Sequence, residues 1–170
     1  MKKFLIPALF TSLILAACGT STDVTVGTNK PLEVQSFNAV MGTKNLVDPV
    51  HGKETRFAYG AVLGVNGTKA NGISYLHTFA DGTSVLTVNL NILPVSGKHV
   101  VAWMTDETGT SVTYVGELTS VMNDARHAVI LETKEDVKNI HTIVVTLEDS
   151  QQPTMPSVHR AEGTLKVVKN

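Results

Sequence analysis

The sequence predicts an all-β domain, a sandwich or barrel of about eight short strands. Threonine and valine are abundant, and no long stretch has the periodicity of an amphipathic helix. Residues 83–93, TSVLTVNLNIL, alternate apolar and polar side chains, which is typical of a strand with one buried face. Turn signals such as Asn66-Gly67 and Asp81-Gly82 separate the apolar runs at even spacing. Together these features favour packed antiparallel strands over a helical fold.

The first four predicted strands are separated by turns. RFAYGAVLGV (56–65) places Phe57 and Leu63 on one face, and Asn66-Gly67 and Asn71-Gly72 are expected to turn the chain into GISYLHTFA. Asp81-Gly82 is a strong hairpin signal before TSVLTVNLNIL. KHVVAWMT (98–105) is an almost continuous apolar run, so we expect a central strand that buries the single tryptophan, Trp103.

Four further strands complete the prediction. Glu107-Thr108-Gly109 is expected to turn the chain into TSVTYVGELTS, which precedes HAVILE. KEDVKN is long enough for one helical turn. HTIVVTLED alternates again, QQPTMPSVHR is a proline-containing loop, and EGTLKVV is the last expected strand.

The first residues, MKKFLIPALFTSLILAAC, have the layout of a secretory signal peptide. Lys2 and Lys3 precede an apolar run from Phe4 to Leu15, and two alanines follow. The run is short for a membrane span, which needs about 20 apolar residues.

Leu15-Ala16-Ala17-Cys18 resembles the lipobox of bacterial lipoproteins, and Cys18 is the only cysteine of the chain. The resemblance implies that the sulfur of Cys18 receives a diacylglycerol, that the Ala17–Cys18 bond is cleaved, and that the new amino terminus is acylated, palmitate being the typical chain. Two or more acyl chains hold a protein stably on a membrane. The expected location is the bacterial cell envelope, outside the cytoplasm. Because Gly19 rather than aspartate follows, the outer membrane is favoured if the cell has two.

Three regions are therefore expected: a signal peptide (1–17), an anchor and tether with one possible early strand (18–54), and a β-sandwich domain (55–170). Without residues 1–17, Lys+Arg falls from 14 to 12 against 15 Asp+Glu, a net charge of −3. No basic patch of the kind that nucleic-acid binding requires is present.

Residues from about 83 to 165 resemble the extracytoplasmic C-terminal domain of anti-sigma-K factors. The resemblance is carried by LPVSGKHVVAWMTD, TYVGEL, HTIVVTLED and EGTL. It implies an immunoglobulin-like antiparallel sandwich of about 7–8 strands and a sensor-like or interaction role. The family's cytoplasmic helical domain and membrane helix have no counterpart in this sequence, so sigma binding does not follow. The matching positions are Trp103, Gly116, Thr146, Leu147, Glu148, Pro153 and Gly163.

A second stretch, GISYLHTFADGTSVLTVNLNIL with GKHVVAWMTDETG, is similar to copper–zinc superoxide dismutases and chordin-type domains. In those proteins a His-x-His pair binds copper, whereas here His99 is followed by Val-Val-Ala-Trp. The similarity therefore extends to the sheet pattern and not to the metal site.

Metal binding rests on weaker signals. None of the six histidines pairs with another at i+2 or i+4, the spacings that place two ligands on one face. His99, His127 and His141 each begin an expected strand and could meet at one edge of the sandwich. Met104, Met122 and Met155 could join them as soft copper ligands. No cofactor is expected, because solvated loop histidines and core methionines explain the same pattern.

Catalytic motifs are missing from the sequence, so an enzyme is not expected. There is no Gly-x-Ser-x-Gly, and Ser96-Gly97 reads as a turn. No spacing selects a catalytic pair from the carboxylates Asp106, Glu107, Glu117, Glu132, Glu148 and Asp149. The tyrosines Tyr59, Tyr75 and Tyr114 suit contact surfaces as well as sheet packing. We expect a membrane-anchored, non-catalytic binding domain whose partner is an envelope protein or a small ligand; the alternative is a copper- or zinc-binding lipoprotein.

Overall fold

The computed structural model describes residues 46–122 and 124–168, and these residues form ten β-strands. The predictions for residues 1–45 (the signal peptide, Cys18 and the early strand) lie outside the described residues. The strands are β1 (Val47–Asp48), β2 (Gly52–Gly64), β3 (Ala70–Phe79), β4 (Ser84–Ile92), β5 (His99–Thr105), β6 (Val112–Glu117), β7 (Arg126–Thr133), β8 (Thr142–Glu148), β9 (His159–Thr164) and β10 (Lys166–Val167).

Eight long strands form one antiparallel sheet in the order β6-β5-β8-β9-β2-β3-β4-β7, and the short strands β1 and β10 pair with β2. The two ends of this order approach each other. Thr119, just after β6, exchanges two backbone hydrogen bonds of 3.0 Å with Ala128 in β7. The strands β5, β6, β7 and the returning β8 therefore follow Greek-key connectivity. The predicted fold class, an all-β antiparallel sandwich of about seven to eight strands, is confirmed.

Strand alternation builds the core. The predicted buried face of β4 is confirmed, since Leu86, Val88, Leu90 and Ile92 all lie in the main hydrophobic cluster. Asn89 and Asn91 point to solvent. The same cluster receives side chains from neighbouring strands, among them Ala58, Val62, Leu76, Val100, Ala102, Met104, Ile143, Val145 and Ala161.

Trp103 is 2 % exposed, so the prediction of a buried tryptophan on a central strand is confirmed. It does not join the main core, because Ala102 and Met104 occupy the inner face of β5 and Trp103 alternates to the outer face. There it packs with Val101 and Val144, and Tyr114 meets it edge-on at a ring distance of 5.5 Å.

Several sequence expectations about boundaries and turns need correction. β2 begins at Gly52, ahead of the expected strand start at Arg56. Asn71-Gly72 is not a turn but lies within β3, where a side chain at Gly72 would meet the Asn89 carbonyl of β4. KEDVKN forms bends and a turn, not a helical turn. The turn at Asn66-Gly67 is confirmed, with φ angles of 52° and 77°.

Candidate binding surface at the loop end

Antiparallel connections alternate between the two ends of the sandwich. We call the end reached by β2, β4, β6 and β8 the loop end, and the other the opposite end. The loop-end connections are 65–69, 93–98, 118–125 (without the undescribed residue 123) and 149–158. The opposite-end connections are 49–51, 80–83, 106–111 and 134–141.

Among the connections between strands, exposed large apolar side chains are concentrated at the loop end. Six of those described lie there, against one, Val50, in the opposite-end connections. Val121 is 98 % exposed and Met122 is 75 % exposed. Exposed apolar groups gathered at one end of a domain are candidates for a contact surface. The six are Leu93, Val95, Val121, Met122, Met155 and Val158.

A cleft of about 550 Å³ lies beside the β6–β7 connection, and we call it the amide cleft. Asn89 and Asn91 supply side-chain amides, while Ile73, Val121 and Met122 supply apolar surface. This mixture of apolar lining with a few polar groups is typical of ligand-binding clefts. The remaining lining residues are Gly72, Leu90, Thr119, Ser120, Asp124, Arg126, His127 and Ala128.

Hydrogen bonds of Asp124 anchor the described residues of the β6–β7 connection. The backbone N–H of Asp124 donates to Ser120 Oγ at 2.9 Å. Arg126 donates from Nε and Nη2 to Asp124 Oδ2 at 2.8 and 2.5 Å, and these hydrogen bonds lower the pKa of Asp124 to about 2. The Ile92 N–H donates to the Ala125 carbonyl at 2.8 Å. Val121 and Met122 therefore sit at the tip of an anchored loop.

A second cleft, of about 460 Å³, carries positive charge, and we call it the cationic cleft. Lys69, Lys98 and Arg160 line it together with Leu93 and Val95. Lys98 Nζ lies 2.5 Å from Asp149 Oδ1. No carboxylate of the described residues lies within ion-pair distance of Lys69 or Arg160. The other lining residues are Gly67, Thr68, Ile92 and Leu147.

The structure does not bring the candidate metal ligands His99, His127 and His141 together. His99 begins β5 at the loop end, and its Nδ1 lies 2.7 Å from Glu117 Oε1. The backbone of His141 pairs with Thr105 at the far end of β5, about 20 Å away for a strand of this length. His127 is buried at the start of β7, with Nδ1 2.9 Å from the Ala125 carbonyl. Within residues 46–122 and 124–168, no three His, Cys, Asp or Glu side chains converge as a metal site would require.

The candidate methionines and carboxylates are equally scattered. Met104 is in the core, whereas Met122 and Met155 are exposed. Asp106 and Glu107 lie at the opposite end, away from Asp149. Glu148 is buried and accepts a hydrogen bond from the Ser157 N–H at 2.9 Å, a loop-shaping contact. Glu117 and Glu132 lie near His99 and His51, respectively.

A separate aromatic row covers the outer face of β2 and β3. Phe57 stacks on Tyr59 and Tyr75 at ring distances of 5.9 and 6.4 Å, and contacts His77 at 4.8 Å. His77 Nδ1 lies 2.5 Å from Glu54 Oε1 in a pair that is almost fully buried. Tyr59 is the most exposed member, at 37 %. Since the row is largely buried, it serves packing more than recognition.

Comparison with known proteins gives no relative: no family model, no curated protein and no solved structure matches this chain. In the part of the chain that the structure describes, no helix is long and apolar enough to cross a bilayer.

The loop-end surface was not predicted from the sequence. The sequence pattern suggests Met122 and Met155 as soft metal ligands or core residues, and it does not distinguish Lys69 and Arg160 from other surface cations. The available signal was apolar residues inside turn segments, such as Leu93 and Val95 around a proline. Recognising it requires placing alternate connections at the same end of an antiparallel fold.

Proposed function

We propose that this chain is a lipid-anchored lipoprotein of the bacterial cell envelope whose β-sandwich is a non-catalytic binding domain. The anchor is Cys18, supported by the lipobox-like Leu15-Ala16-Ala17-Cys18 after a signal-type segment. The sensor-like role is supported by the sequence resemblance to the extracytoplasmic domain of anti-sigma-K factors. The binding surface is the loop end.

One observation carries this proposal: six exposed apolar side chains lie on the connections at one end, and four of them line two clefts. Loops positioned by a rigid sheet are the usual site of recognition in sandwich folds. The opposite end has the same number of connections but a single exposed large apolar residue in them, Val50. The difference in exposed apolar residues between the two ends therefore does not follow from the number of connections alone.

Site-specific photo-crosslinking in intact cells tests the surface. A photoreactive amino acid replaces Met122 at the loop end in one variant and Val50 at the opposite end in the control; both residues are at least 70 % exposed. We expect a discrete protein or lipid adduct from position 122 and none from position 50. Equal adduct yields, or no adduct at position 122, would refute the loop end as the contact surface.

The copper- or zinc-binding alternative is less well supported, because the structure separates His99 and His141 along β5. Metal analysis of the purified chain with titration of copper and zinc tests it. A stoichiometric metal that raises the melting temperature would favour this alternative over the proposal.

A further inference from the structure

We propose that the loop end docks on an anionic phospholipid surface, the same surface that holds the Cys18 anchor. The apolar loop tips would enter the boundary between headgroups and acyl chains, and the cationic cleft would meet lipid phosphates. This inference rests on the proposed function, because it assumes an anchored domain that binds through its loop end.

The apolar tips have the distribution that interfacial insertion requires. Val121 and Met122 project from the β6–β7 connection, Leu93 from the β4–β5 connection, and Met155 and Val158 from the β8–β9 connection. Three separate connections thus present flexible or branched apolar side chains at one end. Shallow insertion of such side chains reaches about 5–10 Å into the headgroup region.

Charge favours the same end. In the opposite-end connections five carboxylates stand against two lysines: Asp81, Asp106, Glu107, Glu135 and Asp136, with Lys134 and Lys138. The loop-end connections contain two carboxylates, and each is held by a cation, Asp149 by Lys98 and Asp124 by Arg126. No carboxylate of residues 46–122 and 124–168 pairs with Lys69 or Arg160, so these two cations can meet phosphate. Without residues 1–17 the chain has a net charge of −3; the opposite-end connections carry −3 and the loop-end connections carry zero, so an anionic surface repels the loop end less than the opposite end.

Hydrogen bonds of the described residues hold two of these connections in place, so docking requires little further ordering of them. Tyr114 Oη donates to the Gln151 carbonyl at 2.7 Å and holds the β8–β9 connection against the sheet. The Ser157 N–H donates to Glu148, which fixes the other side of this connection. The β6–β7 connection is held through Asp124. Preordered contact groups lose less conformational entropy when they bind.

The covalent chain allows this orientation. Leu46 enters β1 at the opposite end, 28 residues after Cys18. A chain of that length spans at most about 90 Å. β2, the longest strand, has 13 residues and is about 40 Å long. The anchor and the loop end can therefore reach the same surface.

The test uses the lipid-modified chain reconstituted into vesicles. Lipidation consumes the only native thiol, so Met122→Cys or Val50→Cys supplies a single site for a nitroxide label. Collisions of the label with molecular oxygen, which is apolar, indicate that the label lies in lipid. Collisions with a water-soluble nickel chelate indicate that the label lies in water. The vesicles contain phosphatidylglycerol and phosphatidylethanolamine, or phosphatidylcholine alone.

On anionic vesicles we expect the label at position 122 to be oxygen-accessible and protected from nickel, and the label at position 50 to show the reverse. On phosphatidylcholine the label at position 122 should return to water. Lys69→Ala with Arg160→Ala should lower the ratio of docked to undocked chains about thirty-fold, since each cation near an anionic surface contributes about five-fold. The matched control, Lys134→Ala with Lys138→Ala at the opposite end, should leave this ratio unchanged.

Three outcomes would overturn the inference. If the label at position 122 stays accessible to nickel on anionic vesicles, the loop end does not enter the lipid, and a protein would be its partner instead. Spin–spin broadening between labels at position 122 would instead indicate a second copy of the chain. If the loop-end double variant and the control double variant lower the ratio of docked to undocked chains equally, the cationic cleft has no specific role in docking. If the chain carries no lipid and does not enter vesicles, the proposed function fails before any label is measured.

Discussion

The indole N–H of Trp103 donates a hydrogen bond of 2.9 Å to the hydroxyl of Thr146, which joins β5 to β8 on the outer face of the sheet. Both side chains are buried, at 2 % and 0 % exposure. The hydrogen bond therefore satisfies a donor and a hydroxyl that water does not reach.

Thr146→Val should lower the free energy of unfolding by about 1–3 kcal/mol, because valine has the same shape but leaves the indole N–H buried without an acceptor. Urea denaturation followed by tryptophan fluorescence measures the loss. The control is Thr154→Val at an exposed loop position, expected to change stability by less than about 0.5 kcal/mol. Equal stability of the two variants would show that this hydrogen bond does not contribute.

Gly60→Ala should destabilise the fold by about 3 kcal/mol or more. β2 pairs with β9 at Leu63–Gly64 and with β10 at Ala58–Tyr59, and between these pairings the Thr164 carbonyl crosses Gly60. A β-carbon at Gly60 would stand 2.2 Å from that oxygen, so backbone must move. The neighbouring exposed substitution, Ala61→Ser, should leave the urea midpoint close to that of the wild type. A Gly60→Ala chain with the same urea midpoint as Ala61→Ser would contradict the close approach of β2 and the end of β9.

Acid should destabilise the domain between about pH 4 and pH 2, in part through Asp81. The Thr83 backbone N–H, with further hydrogen bonds from His51 and the Thr83 hydroxyl, lowers the pKa of Asp81 from 3.8 to about 2. A carboxyl whose pKa is lower in the folded state stabilises the fold above its unfolded pKa, and that contribution is lost as pH falls through the folded pKa.

Asp81→Asn cannot ionise, so its unfolding free energy should fall less steeply than that of the wild type over this pH range. The measurement is a series of urea titrations from pH 5 to pH 2. Identical slopes for the two proteins would show that Asp81 does not contribute to acid sensitivity.

The sequence predicts where the strands lie. It does not predict which side chains point away from the core in strands whose two faces are both apolar. The alternation in β4 determines its buried face because only one face is apolar. In β2 both faces are apolar, with Phe57 and Tyr59 on one and Ala58 and Val62 on the other. The small residues face the core and the aromatic residues face outward, an outcome that depends on the space left by neighbouring strands. The turn predicted at Asn71-Gly72 is wrong for a related reason, because Gly72 allows β3 and β4 to pack closely and does not form a turn.

The binding surface could not be predicted from local pattern, because its members are distant in sequence. Lys69 and Arg160 line one cleft although 91 residues separate them, and only the topology brings the β2–β3 turn beside the start of β9. The structure also separated His99 from His141, although each of them begins or directly precedes a strand.

The most direct test of an anchored binding domain is metabolic labelling of the wild-type and Cys18→Ser chains with labelled palmitate, followed by intact mass measurement. We expect the wild-type chain to incorporate the label and to begin at residue 18. The Cys18→Ser chain should take up no label and keep residues 1–17. Labelled Cys18→Ser, or cleavage of both chains at the same bond, would contradict anchoring through this cysteine.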